Sequence, residues 1–333
     1  MAEQDKSVLT SAFEKPGEPE IARKRRSTLV KVLIGMAVAV VVIVAGTAGA
    51  GLYFANKFDK NIKRIDNVFR ELPQGERPGK AATAADAMNI LLVGSDMRAP
   101  GQTTGSAGLP AGGSQRSDTI MLVHIPADRK NAYLVSLPRD SWVPIPGRGT
   151  AKINAAYAYG GPTLLVRTLE KLTDVQIDHY AQIDFAGFKS MTDAVGGVDV
   201  PGAGHLDGES ALAYVRERHH LAHGDFDRIK RQQAFLRALM AKSTGKLTDP
   251  GALTGLLDAV TRSVSVDDGM SGGDLRSLTL SMRGVRSADV HFSTAPTKGT
   301  GMVGDQSVVF LDPPADRVLW TAMRNDEMST WTG

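Results

Sequence analysis

From Val32 to Ala55 the chain runs for 24 residues without a charged side chain, built mostly of Val, Ala, Ile, Leu, Met and Gly. As a helix this run extends roughly 36 Å, enough to cross a hydrocarbon layer of roughly 30 Å with tilt. It has no polar face of the kind a buried core helix shows at its edges. It is also longer than the apolar part of a usual signal peptide and starts only after about thirty residues, which argues against cleavage. Tyr53 and Phe54 close the run, where aromatic rings favour the headgroup region. The expectation is a transmembrane helix over 28–55 that leaves 1–27 as a cytoplasmic tail. Arg23, Lys24, Arg25 and Arg26 favour that orientation, while Lys57, Lys60, Lys63 and Arg64 at the other end weaken the positive-inside argument.

The remainder of the chain, beyond the apolar run, is long enough for one large domain or two small ones. The chain has 333 residues, 42% of them hydrophobic, and a formal charge of only +3. It contains no cysteine, which excludes disulfides, thiolate metal sites and thiol nucleophiles. Such a domain holds its fold by core burial alone.

Phe58, Ile62, Ile65, Val68 and Phe69 fall at helical spacing and predict a stalk helix over 56–70, followed by a Pro-, Gly- and Ala-rich linker over 73–87. Asn89–Gly94, Thr119–Ile125 and Tyr133–Leu137 read as strands, the last two joined by a turn at 126–131. Pro162–Leu172 reads as a helix opened by proline. Tyr180–Phe185 reads as a strand, and Phe188–Val195 as a helix ended by Gly196-Gly197. Asp227–Lys242 is a strong amphipathic helix carrying Ile229, Phe235, Leu236, Leu239 and Met240. Further helices are expected near 251–263, 273–283 and 314–325, and strands near 288–294 and 307–311. Interleaved strands and helices predict a three-layer α/β or α+β domain with a mixed central sheet.

Four local patterns carry chemistry. Asp96 and Arg98 follow the first strand directly, where open α/β sheets present residues to ligands; taken alone, a strand-end turn with a solvated salt bridge is the simpler reading. Arg116 and Asp118 open the next strand and alternate on one face. Asp96 and Asp118 thus sit at the ends of adjacent predicted strands, placed to converge on a hard cation. Mg²⁺ favours one or two carboxylates, waters and phosphate oxygens in such a setting. Arg139 follows Leu137-Pro138 and precedes Asp140, which suits equally a fixed anion ligand and a buried Arg–Asp pair that organises the turn.

The fourth pattern runs from Tyr214 to Gln233. If 214–218 is extended, Arg216 and Arg218 point the same way. Arg228 and Gln232 lie at i and i+4 on one helical face. A surface charge run is the plainer account, but like charges about 7 Å apart repel by roughly 2 kcal/mol at an effective dielectric near 20. Arginines gathered in one cleft therefore need an anion, and the guanidinium fork suits phosphate. His219, His220 and His223 lack zinc-site spacing and read as loop residues. The Gly-rich segment 101–113 has no Gly-Lys-Ser/Thr ending and reads as a mobile loop beside the site rather than a P-loop.

In this order, these motifs resemble the LytR-CpsA-Psr family of cell-wall phosphotransferases. The likeness runs from about Asn89 to Leu239. It takes in Asn89–Asp96, Arg116–Thr119, Ser136–Asp140, Lys152–Tyr157, Gly160-Gly161, Val195–Val198, Arg216–Arg218, Asp227-Arg228 and Arg231–Gln233. The resemblance implies that 88–333 is the catalytic domain, outside the cell membrane. It would take a polyprenyl-pyrophosphate-linked glycopolymer and transfer the glycosyl phosphate to a peptidoglycan hydroxyl. It further implies that Asp96 and Asp118 hold Mg²⁺, and that Arg98, Arg116, Arg139, Arg216, Arg218, Arg228 and Gln232 surround the pyrophosphate. Of these, Arg116, Arg139, Arg216, Arg218 and Arg228 take the catalytic charge. A hydrophobic pocket for the polyprenyl chain is implied without assignable lining residues. One departure stands out: Asp227 occupies the position before Arg228 that is often Gly in relatives. Residues 241–333 read as the rest of the same fold.

Two other functions fit the arginines. One is hydrolysis of the lipid-linked pyrophosphate; the other is a non-catalytic, membrane-tethered receptor or regulator for polyanions. Nucleic acid is not an expected partner, because the arginines lack interleaved stacking aromatics.

Overall fold

The computed structural model describes residues 60–95, 117–217, 225–244, 250–282 and 284–331. In chain order the strands are β1 (Lys63–Ile65), β2 (Met88–Ser95), β3 (Ser117–Ile125), β4 (Ala132–Leu137), β5 (Trp142–Ile145), β6 (Gly149–Lys152), β7 (His179–Asp184), β8 (Val198–Val200), β9 (Gly204–Leu206), β10 (Val264–Asp267), β11 (Val290–Thr294), β12 (Thr297–Val303) and β13 (Gln306–Leu311). The helices are α1 (Ile153–Thr173), α2 (Phe185–Ala194), α3 (Gly208–Arg216), α4 (Asp225–Thr244), α5 (Pro250–Ser263), α6 (Gly272–Ser281) and α7 (Pro313–Arg324). Among these residues no helix is long and apolar enough to cross a membrane; the Val32–Ala55 run lies outside them.

Seven strands form one mixed sheet in the order β1-β10-β7-β2-β3-β4-β11. Around β2 the pairing is parallel to β7 and antiparallel to β3. The alternation of β2 shows how the layers arise. Leu91 and Val93 point to one face with Ile120, Leu122, Val135 and Leu137, and pack on Leu165 and Leu169 of α1 and on Leu319 and Met323 of α7. The opposite face carries Leu92, Gly94 and Met121 and is roofed by α2, α3 and α4. Helices on both faces of a mixed sheet are the layered class expected, and β10 and β11 show that the C-terminal part belongs to it.

The segment before β2 departs from expectation. Instead of a stalk helix through 70, Lys63–Ile65 forms the sheet's edge strand, parallel to β10. Asn67 then turns the chain at φ +63°, which Asn tolerates better than most residues. Ile65, Val68 and Leu72 enter the main core. Their spacing mimics a helix because both geometries must bury the same residues, and pairing with β10 also covers an otherwise open edge. The stretch 73–87 is docked rather than loose. Arg77 binds the buried carboxylate of Glu170 at 2.7 Å and the Ile177 carbonyl at 2.6 Å, and Lys80 pairs with Asp178 at 2.9 Å.

Helix α1 extends further back than the proline-opened helix anticipated. Its first turns, from Ile153, are separated from the part opened by Pro162 by a break at Gly160 and Gly161, where Gly161 has φ +61°. A second correction concerns Tyr214–Arg216, which are helical rather than extended. The Asp207 carboxylate caps α3 by accepting from the Ser210 amide, and Ala211, Leu212 and Val215 bury one helical stripe. Tyr214 and Arg216 therefore do not share a strand face.

Candidate functional site

Between the Leu92/Met121 face of the sheet and α2, α3 and α4 lies a cavity of about 380 Å³. Most of its wall is apolar: Leu92, Met121 and Ile183 from the strands, and Phe185, Phe188, Leu212, Phe235 and Leu236 from the helices. Phe188 and Phe235 pack with ring centroids 4.6 Å apart. Gly94 also lines it, and a Cβ there would stand 3.1 Å from the Thr119 Cβ, so the narrow backbone keeps this part of the cavity open. The polar part of the wall is Thr119, Asp184, Arg216, Glu217, Arg228 and Gln232. The sequence did not disclose this apolar lining.

Each cation at this site is placed by an identifiable element. Arg228 and Gln232 lie one turn apart on α4, as their spacing predicts, and both are buried. Arg216 stands at the last turn of α3, with its guanidinium 4.2 Å from the centre of the Phe185 ring. Arg139 sits in the turn after β4, and that turn is pinned on both sides. Its carbonyl accepts from the Asn154 amide at the start of α1, while the Asp140 carbonyl accepts from Val309 of β13. Arg139 is only 6% exposed. Its Nε lies 3.7 Å from the Asp140 carboxylate and 4.0 Å from that of Asp225, which also ion-pairs with Arg228. Lys152, just before α1, reaches Asp140 at 3.2 Å. So Arg139 forms the buried Arg–Asp pair of one reading of its motif and is linked through Asp225 to Arg228.

Gln233, beside Gln232, faces elsewhere: its amide donates to the Ser293 carbonyl at 2.9 Å and to the Ser136 hydroxyl at 3.2 Å, tying α4 to β4 and β11. Asp227 pairs with Lys230 at 3.6 Å, which offsets the charge it adds near the site.

The strand ends that carry the two aspartates are adjacent. Ser95 pairs with Ser117, but Gly94 pairs with Thr119, so Asp118 is the extra residue of a β-bulge. The bulge interrupts strict alternation between Ser117 and Thr119. The hydroxyls of Ser95 and Ser117 are buried and make no hydrogen bond among the described residues. Asp96, Arg98, Arg116 and Arg218 lie outside the described residues, as do His219, His220, His223 and the Gly-rich segment, and of Asp118 only the backbone is described. Of the predicted site residues, the structure thus brings together Arg139, Arg216, Arg228 and Gln232. It adds Lys152, Asp140 and Asp225, which the sequence offered only as members of motifs.

The family model LytR_cpsA_psr matches residues 53–203 and 200–325. The chain belongs to the LytR-CpsA-Psr family. Among curated LytR-CpsA-Psr relatives, the cell wall biosynthesis protein LcpA of Corynebacterium glutamicum is 36% identical over 292 residues, covering 72% of this chain and 55% of LcpA. The chain therefore spans little more than half the length of that relative. A protein of Bacillus mycoides named polyisoprenyl-teichoic acid–peptidoglycan teichoic acid transferase TagU is 34% identical over 213 residues, covering 58% of this chain and 66% of TagU. Among solved structures, TagT bound to LIIa-WTA superposes with a TM-score of 0.59 at 24% identity, covering 78% of this chain and 97% of that one. At that identity the likeness concerns the LytR-CpsA-Psr fold.

Proposed function

We propose that this chain transfers a glycopolymer phosphate from a polyprenyl-pyrophosphate carrier to a hydroxyl of peptidoglycan, in cell-wall assembly. The observation that carries this reading is a cavity whose mostly apolar wall also holds the ring-stacked Arg216 and the buried Arg228, with Arg139 joined to Arg228 through Asp225. That is the shape of an amphiphile with a hydrocarbon tail and a compact anionic head. The name of the Bacillus mycoides relative, which joins a polyisoprenyl carrier, teichoic acid and peptidoglycan, supports the same class of substrate.

In this mechanism the acceptor oxygen bonds to the phosphorus next to the sugar, and the bond from that phosphorus to the bridging oxygen breaks. The electron pair leaves with polyprenyl phosphate, and the acceptor's proton is lost to the solvent. Phe185, Phe188, Phe235 and Leu236 bind the first isoprene units. Arg139, Arg216, Arg228 and Gln232 hold the diphosphate and take up charge on its oxygens as the bridge breaks. Arg98, Arg116 and Arg218 join them on the same reading. Asp96 and Asp118 would hold Mg²⁺, and the hydroxyls of Ser95 and Ser117, which have no partner among the described residues, fit a polar group bound at this edge. When bound, Mg²⁺ supplies further positive charge to the diphosphate. On this proposal 28–55 anchors the chain in the cell membrane with the N-terminus cytoplasmic and the catalytic domain outside.

The test is turnover by the full chain in detergent, with a polyprenyl-pyrophosphate-linked sugar and peptidoglycan oligomers, with and without Mg²⁺. Mg²⁺-dependent appearance of the sugar phosphate on peptidoglycan is expected. Release of polyprenyl phosphate with no acceptor product would instead mark a hydrolase, and binding without turnover a receptor.

A further inference from the structure

Three cations and two carboxylates alternate in a chain of ion pairs that ends on the cavity wall at Arg228: Lys152, Asp140, Arg139, Asp225 and Arg228. The first three gaps are 3.2, 3.7 and 4.0 Å, and Asp225 then ion-pairs with Arg228. Arg139 and Arg228 are both almost wholly buried, and buried cations brought this close repel strongly unless an anion lies with them. A bound diphosphate would supply that anion. Before it arrives, the carboxylates must. Asp140 is shared between Arg139 and Lys152, whereas Asp225 reaches both arginines. Its position in the first turn of α4 is also fixed by the helix that carries Arg228.

We propose that Asp225 is a positioning residue that acts as a built-in counter-ion. Its carboxylate holds the guanidiniums of Arg139 and Arg228 at one separation in the free protein, and it competes for them with the incoming diphosphate. This rests on reading the arginine-lined cavity as a diphosphate site. The two consequences carry opposite signs. Neutralising Asp225 removes a negative charge from an anion site and strengthens ground-state binding. It also frees the two arginines from their fixed geometry and slows transfer. A residue that served only the fold would, when changed, weaken both.

The experiment uses the full chain in detergent, inorganic pyrophosphate as the calorimetric probe, and release of polyprenyl phosphate as the rate. Asp225→Asn is expected to bind pyrophosphate about threefold tighter or more, while kcat falls by about 10- to 100-fold. Asp225→Glu keeps the charge on a longer arm, so its pyrophosphate affinity stays within about twofold of the wild type and its kcat lies between the two. Weaker pyrophosphate binding by Asp225→Asn, or an unchanged kcat, overturns the proposal. Should Asp225→Asn not fold, Asp225→Glu decides: reduced kcat at unchanged affinity supports the assignment, and unchanged kcat ends it. A wild-type chain that binds no pyrophosphate removes the diphosphate reading and Asp225's part with it. Wild-type binding and turnover with the wrong pattern in the variants removes only Asp225.

Discussion

The two faces of the central sheet are made of similar residues and are used differently. Against α1 and α7, Leu91, Val93, Ile120 and Leu122 are sealed, and the helices fill the space above them. Against α2, α3 and α4, Leu92, Gly94 and Ile183 remain partly open beneath a 380 Å³ cavity. Dense packing on the first face stabilises the fold. The second face gives up part of that stabilisation and keeps room for a ligand. Dense packing and open space are therefore assigned to opposite sides of the same strands.

That division can be broken by experiment. The largest effect is expected from removing residues 1–74, because Ile65, Val68 and Leu72 belong to the sealed side. At roughly 1.5 to 3 kcal/mol for each buried side chain, the loss is about 5 kcal/mol or more. Denaturant unfolding of a chain starting at residue 75 against one starting at Ala55 measures it. Equal stability would show that the edge strand is dispensable.

Arg139→Ala probes the open side. Its turnover should fall by about 10²- to 10³-fold while circular dichroism still reports the native fold. Activity within about threefold of wild type would take Arg139 out of the mechanism. Leu165→Ala and Leu236→Ala compare the sides directly. The first opens a hole in a closed core and should cost about 3 kcal/mol; the second enlarges an existing cavity and should cost about 1 kcal/mol. Equal costs would refute the contrast.

The smallest effect concerns Asp316, on the α7 side. Burial and the neighbouring Asp312 push its carboxyl up from 3.8 to about 7. The folded chain holds this proton more tightly than the unfolded one. The associated stability is therefore greatest below about pH 4 and is lost as pH rises through 7. Asp316→Asn should add roughly 2 kcal/mol at pH 8 and little at pH 4, measured by urea unfolding at both. A gain of the same size at both pH values would point away from the carboxyl's charge.

Much of this architecture was legible in order along the chain. The apolar runs of β2, β3, β4 and β7 each sit between clear breakers, and the Arg228–Gln232 spacing on α4 announced a shared face. What was hidden is local or long-range. The strands β1 and β12 and the hairpin β8–β9 are short or Gly-rich, so no period develops in them. Tyr214 and Arg216 satisfy an alternating pattern, but the cap at Asp207 and the stripe Ala211, Leu212 and Val215 settle the segment as helix. The meeting of Arg139 with Asp225 joins a turn after β4 to the start of α4, and no local pattern reports such a contact. Nor could sequence spacing assign the phenylalanines of the cavity, which come from α2 and α4 and become neighbours only once both helices lie on the sheet.

The bulge at Asp118 has a consequence for how this chain can change. Regular pairing of β2 and β3 needs one residue fewer at that point, so shortening β3 there should close the ladder and make the sheet sturdier. It would also remove the acidic residue from the edge facing Ser95. Improvement of the scaffold and retention of the acid thus pull in opposite directions at a single position, and directed evolution for heat resistance alone should discard it first.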